Sequence, residues 1–414
     1  MVTTDSAEQP FANPFRPGAG HIPPHLAGRE AEHQEFARLL EQTTILENMV
    51  LTGLRGVGKT VLLDAFKPRA IQEGWSWVGT DLSESVSVSE DNIATRLLTD
   101  LSVVTSSIVV HKAIKESYGF AGAPKEQEVK LTYPVLTSIY ESTPGLVADK
   151  VKAVLELVWT HLQKQGKRGL IFAYDEAQNL ADQPAKDHYP LSLLLDVFQS
   201  IQKKDIPFML VLTGLPTLFP KLVEARTFSE RMFRVLFLDR LNYEDSRDAI
   251  LKPISVANCP VSFNDESVET ICETSDGYPY FIQFMCREVY DVFIQQVAEG
   301  DVTGVPVEEI LRKLDTDFFA GRWAKATDRQ RQLLIVIVML QKAEDEFTVQ
   351  EIVEHSARVL PKPFSSSHAN QLLQSLIANG LVYKNRHGKY SFAVPLLDRF
   401  IQRQLEPEQL TLDG

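Results

Sequence analysis

The chain has 414 residues, 44% of them hydrophobic and 23% charged, enough for a real core in two or three domains. Its 42 basic and 55 acidic side chains give a net charge of −13, which argues against a whole-surface nucleic-acid binder but leaves room for a local basic patch. Cys259, Cys272 and Cys286 lack C-x-x-C spacing, residues 1–12 lack a secretory core, and the apolar run 333–340 is too short for a bilayer, so a reducing cytoplasm and no membrane are expected.

Residues 1–24 are rich in Pro, Gly and Ala without a period and read as a flexible arm. Gly28-Arg29-Glu30 then precedes a helical pattern carried by Phe36, Leu39 and Leu40. Met49-Val50-Leu51 is a strand candidate. It runs into Gly53-Leu54-Arg55-Gly56-Val57-Gly58-Lys59-Thr60, which fits G-x-x-x-x-G-K-[ST], and a helix-compatible run starts at Val61. Strand, glycine loop and helix in that order make a phosphate site. The glycines turn backbone N–H groups onto phosphate oxygens, and the helix N-terminus adds its positive dipole end. Lys59 reaches the β- and γ-phosphates, and the Thr60 hydroxyl can sit on Mg²⁺. The loop predicts a nucleoside triphosphate.

A second strand is expected over 75–81 and a helix over 92–104. Residues 105–146 carry turn signals and no clean period, and read as an insertion. A helix over 147–165 places Val151, Val154, Leu155, Val158 and Leu162 on one stripe. Gly169-Leu-Ile-Phe-Ala-Tyr-Asp175-Glu176 is apolar until its acidic end. That suits a strand buried on both faces of a parallel sheet, with its carboxyl end where α/β sheets hold ligands. Asp175 can hold Mg²⁺, and Glu176 can orient and polarise an attacking water. After a helix over 191–202, the strand 207–214 ends in Thr213, which either touches a γ-phosphate or caps the turn. Arg226, Arg231 and Arg234 precede a last strand over 235–238. Such an arginine either reaches a neighbouring subunit's phosphate or stays solvated.

Beyond Asn242 the pattern is helical, over 243–257, 265–274, 278–297 and 307–320. Gly277 and Pro279 set a tight turn at a helix start, either an approach to the nucleotide or a plain N-terminus. Helices over 329–340, 347–355 (with Thr348 as N-cap) and 365–379 (closed by Gly380) lead into a hairpin over 381–392 and a final helix over 395–405. Three helices and a hairpin predict a winged helix. Its third helix has no Lys or Arg, and the basic residues Lys384, Arg386 and Lys389 lie on the wing, with Arg399 and Arg403 beyond. Phosphate contact with duplex DNA and docking on a protein both fit this distribution.

Gly28-Arg29-Glu30, the phosphate loop, Asp175-Glu176, the strand ending in Thr213, Ser229-Glu230-Arg231 and Gly277-Tyr278-Pro279-Tyr280 together resemble the prokaryotic AAA+ and STAND-type P-loop ATPases, relatives of the origin-recognition initiators. The resemblance implies an α/β fold. A five-stranded parallel sheet with helices on both faces would cover 25–240, an all-α lid 241–325 and the winged helix 326–405. It implies a slow ATPase, yielding ADP and phosphate, with ATP and Mg²⁺ as cofactors. Gly28 and Arg29 would line the adenine pocket. Gly53, Leu54, Arg55, Gly56, Val57, Gly58, Lys59, Thr60 and Val61 would hold the phosphates, and Thr60 and Asp175 the metal. Glu176 would be the base, Thr213 the γ-phosphate sensor, and Arg231 a finger supplied in trans within a homo-oligomer. Gly277 and Pro279 would meet the nucleotide from the lid. Many AAA+ proteins carry a lid arginine at this turn; here none occurs between Gly277 and Arg287. The Gly-x-Pro-Tyr turn resembles the STAND branch, where bound nucleotide acts as a switch. Two functions stay open: an ATPase acting on DNA through the winged helix, or a nucleotide-dependent signalling switch whose winged helix binds a protein.

Overall fold

A computed structural model of the chain describes residues 12–18, 20–115, 125–259, 262–299, 305–340, 346–386 and 388–409. The chain divides into two compact units. One comprises Glu30–Gly53 and Lys59–Leu238; the other comprises Leu54–Gly58, the chain from Asp239 onward and the residues before Glu30.

The first unit is built on strands β1 (Asn48–Thr52), β2 (Trp75–Val78), the hairpin pair β3 (Val109–Lys115) and β4 (Lys125–Lys130), then β5 (Gly169–Tyr174), β6 (Phe208–Gly214) and β7 (Phe233–Phe237). Five of these form one parallel sheet in the order β2-β5-β6-β1-β7. Every residue of β1, β5 and β6 is buried, because helices cover both faces and leave no solvent side for polar alternation. The helix Val147–Lys164 buries the stripe read from its sequence, Val151 through Leu162. Phe36 of helix Glu30–Leu40 stacks on Phe66 of helix Lys59–Gln72 with ring centroids 4.2 Å apart. The strand order decides the chemistry. β6 lies between β1 and β5, so Thr213, Asp175 and the start of the helix after β1 meet at one edge.

The insertion expected over 105–146 contains the antiparallel β3–β4 pair and a helix, Tyr133–Ser142. Leu131 N–H donates to Ile108 O at 2.9 Å, and both residues are buried. The stretch 116–124 of that insertion lies outside the described residues.

The second unit is mostly helical: Tyr243–Val256, Asp265–Ser275, Pro279–Glu299, Val307–Leu314, Ala320–Ala324, Asp328–Met339, Val349–Val359, Ser366–Ala378 and Leu397–Gln409. Side-chain caps start five of them, from Asn242, Asn264, Thr327, Thr348 and Ser365, each accepting a backbone N–H three residues on. Thr348 and Glu351 complete a capping box. A single helix was expected over 307–320. Instead a π-helical stretch, Asp315–Phe319, joins two α-helical pieces and turns Phe318 and Phe319 into an aromatic cluster with Phe281 and Phe400. Strands β8 (Val382–Arg386) and β9 (Lys389–Phe392) pair as a hairpin, and Phe347 joins it through two 2.9 Å backbone bonds with Tyr390. The segments 241–325 and 326–405 share one hydrophobic cluster, reaching from Phe15 to Ile401.

Within the arm read over 1–24, the stretch from Asn13 makes packed contacts. Phe15 is buried and stacks on Phe263, and the Asn13 amide donates to Arg287 O and the Asp291 carboxylate. Residues 1–11 and 19 lie outside the described residues. Among the described residues no helix is long and apolar enough to cross a membrane.

Candidate functional site

At the carboxyl edge of the sheet the structure gathers Thr60, Asp175, Thr213 and Glu176. Asp175 follows β5 and is buried. One carboxylate oxygen accepts the Thr60 hydroxyl; the other accepts the Thr213 hydroxyl and, at 2.7 Å, the Glu176 N–H. A buried carboxylate needs such donors, and Asp175 has three. Burial raises the Asp64 carboxyl, one turn after Thr60, above its ordinary range; Lys67 opposes the shift, and the charges of Asp175 and Asp81 add to it. A hydroxyl and a carboxylate in this acidic setting suit a hard divalent cation that takes its remaining ligands from water and phosphate. Lys59, first residue of its helix, donates from Nζ to Gly53 O at 3.0 Å.

Glu176 sits in the left-handed region, φ 51° and ψ 33°, a conformation that costs a non-glycine residue free energy and clusters at functional sites. Its carboxylate accepts the Gln178 side-chain amide. The other end of that amide accepts Leu215 N–H at 3.0 Å, and Lys221 Nζ donates to Gln178 O at 2.9 Å. Burial lowers the Lys221 pKa below the ordinary lysine value. A Cβ on Gly214 would stand 2.6 Å from Gln178 Oε1, so the glycine makes this bridge possible. Gln178 and Lys221 were missed from sequence. The available signal was a glutamine two residues after Glu176, on the short turn Ala177–Asn179.

The tip of the phosphate loop, Leu54–Gly58, belongs to the second unit. Gly56 and Gly58 have φ of +79° and +92°. Gly56 O accepts Tyr280 N–H at 3.1 Å, and Val57 O accepts Arg29 Nη2 at 3.0 Å. Arg29 is buried and also donates to Asp239 O at 2.8 Å. The structure thus brings Arg29, expected at the adenine, onto the loop backbone. Tyr280 owes its position to the turn before it. Gly277 has φ +72°, a Cβ there would lie 2.3 Å from Leu241 O, and Pro279 opens the helix Pro279–Glu299. Arg55 donates from its guanidinium to Gly380 O at 3.0 Å.

Three arginines were candidates for a finger. Arg226 is held by Asp196 and Ser192, and Arg234 by Glu35. Arg231, on the helix Ser229–Met232, is exposed and has no ion pair among the described residues. On the hairpin, Lys384 is exposed and Lys389 half-buried; the Arg386 side chain lies outside the described ones. Arg399 instead donates to Glu273 O and Thr274 O, and Arg403 pairs with Asp315 through two nitrogens. These two are spent inside the second unit.

Residues 25–251 match a family described as the AAA ATPase domain, and residues 316–401 match one described as a domain of unknown function, DUF8462. No curated protein sequence matches the chain. Among solved structures it is similar to the Walker-type ATPase PABY2304 of Pyrococcus abyssi: 15% identity, 91% of this chain and 96% of that one covered, TM-score 0.55. It is also similar to the Aeropyrum pernix ORC2 protein in its ADPNP–ADP complexes: 15% identity, 96% and 98% covered, TM-score 0.53. At such identities the likeness concerns the fold. The match to the first family covers more than half of the sequence, and the chain belongs to the AAA ATPase domain family.

Proposed function

We propose that the chain binds ATP with Mg²⁺ at residues 53–60, hydrolyses it slowly, and uses the nucleotide state to control its conformation or assembly on DNA. The observation that carries the hydrolytic part is the Asp175 carboxylate shared between the Thr60 and Thr213 hydroxyls, with Glu176 next in the chain. Thr60 and Asp175 would hold Mg²⁺, which when bound neutralises charge on the phosphates. Lys59 would exchange Gly53 O for β- and γ-phosphate oxygens. Glu176 would take a proton from the water that attacks the γ-phosphorus, while the bond to the ADP oxygen breaks. Thr213 would sense the γ-phosphate, and Arg231 of a neighbouring copy would stabilise the charge that develops. Gly28, Gly277 and Pro279 would shape the approach to the nucleotide by placing Arg29 and Tyr280.

For the target, we read residues 326–405 as a winged helix that meets duplex DNA through Lys384, Arg386 and Lys389. Three phosphate contacts predict a slope of about −3 in a plot of log affinity against log salt. The test is duplex binding across salt concentrations, with and without ATP. ATP-sensitive binding with that slope supports the reading. A second reading has its own observation: Arg55 of the phosphate loop holds Gly380 O, so the C-terminal segment docks on the loop itself, as in a nucleotide-dependent switch with a protein partner. No ATP-sensitive duplex binding at low salt would favour that switch and reject DNA.

A further inference from the structure

We infer that Arg29 is a positioning residue of the phosphate cradle, selective for the polyphosphate chain and indifferent to the base. The inference rests on the ATP-binding reading above.

Arg29 reaches the loop because Gly28 has φ +63° and no side chain. A Cβ there would stand 2.6 Å from the Asp245 carboxylate. The turn buries Arg29 to 6% exposure. From there Nη2 donates to two carbonyls that stand far apart in sequence, Val57 O and Asp239 O, at 3.0 and 2.8 Å. The preceding carbonyl, Gly56 O, is taken by Tyr280 N–H at 3.1 Å.

The consequence follows from the peptide unit. The bond is planar and trans here, so a carbonyl and the N–H of the next residue point in opposite directions. Drawing Gly56 O toward Tyr280 turns Val57 N–H the other way. Drawing Val57 O toward Arg29 does the same for Gly58 N–H. The positive φ of Gly56 and Gly58 permits this orientation without a Cβ penalty. Two backbone donors are thereby fixed side by side before any phosphate arrives, which spares the ligand the cost of ordering them. The guanidinium also brings a charge that no pH near neutrality removes, behind a loop that would receive a polyanion.

The test uses the full chain and isothermal titration with Mg²⁺-ATP, Mg²⁺-GTP and inorganic tripolyphosphate, which has no base. Arg29→Ala is expected to weaken ATP and tripolyphosphate by the same factor, about 10- to 100-fold, the loss of one charged hydrogen bond. The ratio of ATP to GTP affinity should stay at the wild-type value. Arg29→Gln, which keeps a neutral donor, should fall in between, and it carries the comparison if thermal melting shows that Arg29→Ala does not fold. A changed ATP-to-GTP ratio with unaltered tripolyphosphate binding places Arg29 at the base and overturns the inference. Lys59→Ala separates the two levels: it should lose ATP and tripolyphosphate alike. If wild type itself binds neither, the ATP-binding reading fails, and the inference falls with it.

Discussion

Asp175 can be replaced in two ways that separate folding from chemistry. Its carboxylate accepts the Thr60 hydroxyl, the Thr213 hydroxyl and the Glu176 N–H. In Asp175→Asn the amide oxygen keeps the Thr213 and Glu176 donors. The amide nitrogen faces Thr60, whose hydroxyl can turn to accept. Thr213 Oγ1 and Glu176 N–H each keep their acceptor. Three charge-assisted bonds become neutral, at a cost of about 1 kcal/mol each, and the desolvation penalty of a buried charge, several kcal/mol, is relieved. The two nearly cancel, so stability should change by no more than about 1 kcal/mol. Asp175→Ala strands two hydroxyls and an N–H, and should cost about 3–5 kcal/mol. Both variants should lose Mg²⁺-dependent ATP hydrolysis, since neither supplies a carboxylate. Urea unfolding monitored by circular dichroism gives the first comparison and phosphate release the second. If Asn destabilises as much as Ala, or if Asp175→Asn hydrolyses ATP at the wild-type rate, the account of this carboxylate is wrong.

Gly277→Ala should lower stability by at least about 2 kcal/mol, from left-handed strain and a Cβ driven into Leu241 O; an unchanged urea midpoint would contradict it. Gln178→Met keeps the side-chain volume but removes the bridge from Glu176 to Leu215 N–H, so turnover should fall about tenfold with ATP affinity unchanged. A change confined to KM would assign Gln178 to binding instead. Arg231→Ala and Lys59→Ala subunits, each inactive alone, should regain activity on mixing if Arg231 serves a neighbour's site; no recovery at any ratio rejects the trans role. Mass measurement in ADP and in a non-hydrolysable ATP analogue should show a larger assembly with the analogue, and equal masses would count against nucleotide-driven assembly.

Much of the sheet was legible because its central strands obey a simple rule. β1, β5 and β6 are buried on both faces, so each carries an apolar run (Met49, Val50 and Leu51 in β1) that leads to the residues of the site. Helix starts at Thr348 and Ser365 were legible too, because a cap is a local hydrogen bond. The β3–β4 pair was not. Lys125–Lys130 reads KEQEVK, a charged sequence without the apolar alternation that announces a strand, and it pairs with β3. Partners distant in sequence were equally invisible. Nothing near Arg29 announces that Val57 and Asp239, 28 and 210 positions away, will take its guanidinium. The three candidate arginines looked alike until Asp196 and Glu35 claimed two of them. Gln178 is a polar residue on a turn, and its bond to Leu215 depends on how β6 lies beside β5.

The proposal on which the others depend is ATP hydrolysis with Glu176 as the base. Its most direct test is phosphate release by wild type and Glu176→Gln at saturating Mg²⁺-ATP, with ATP affinity measured on the same samples. Slow release is expected from wild type, and undiminished binding with no detectable release from Glu176→Gln. Release by Glu176→Gln at the wild-type rate would contradict it.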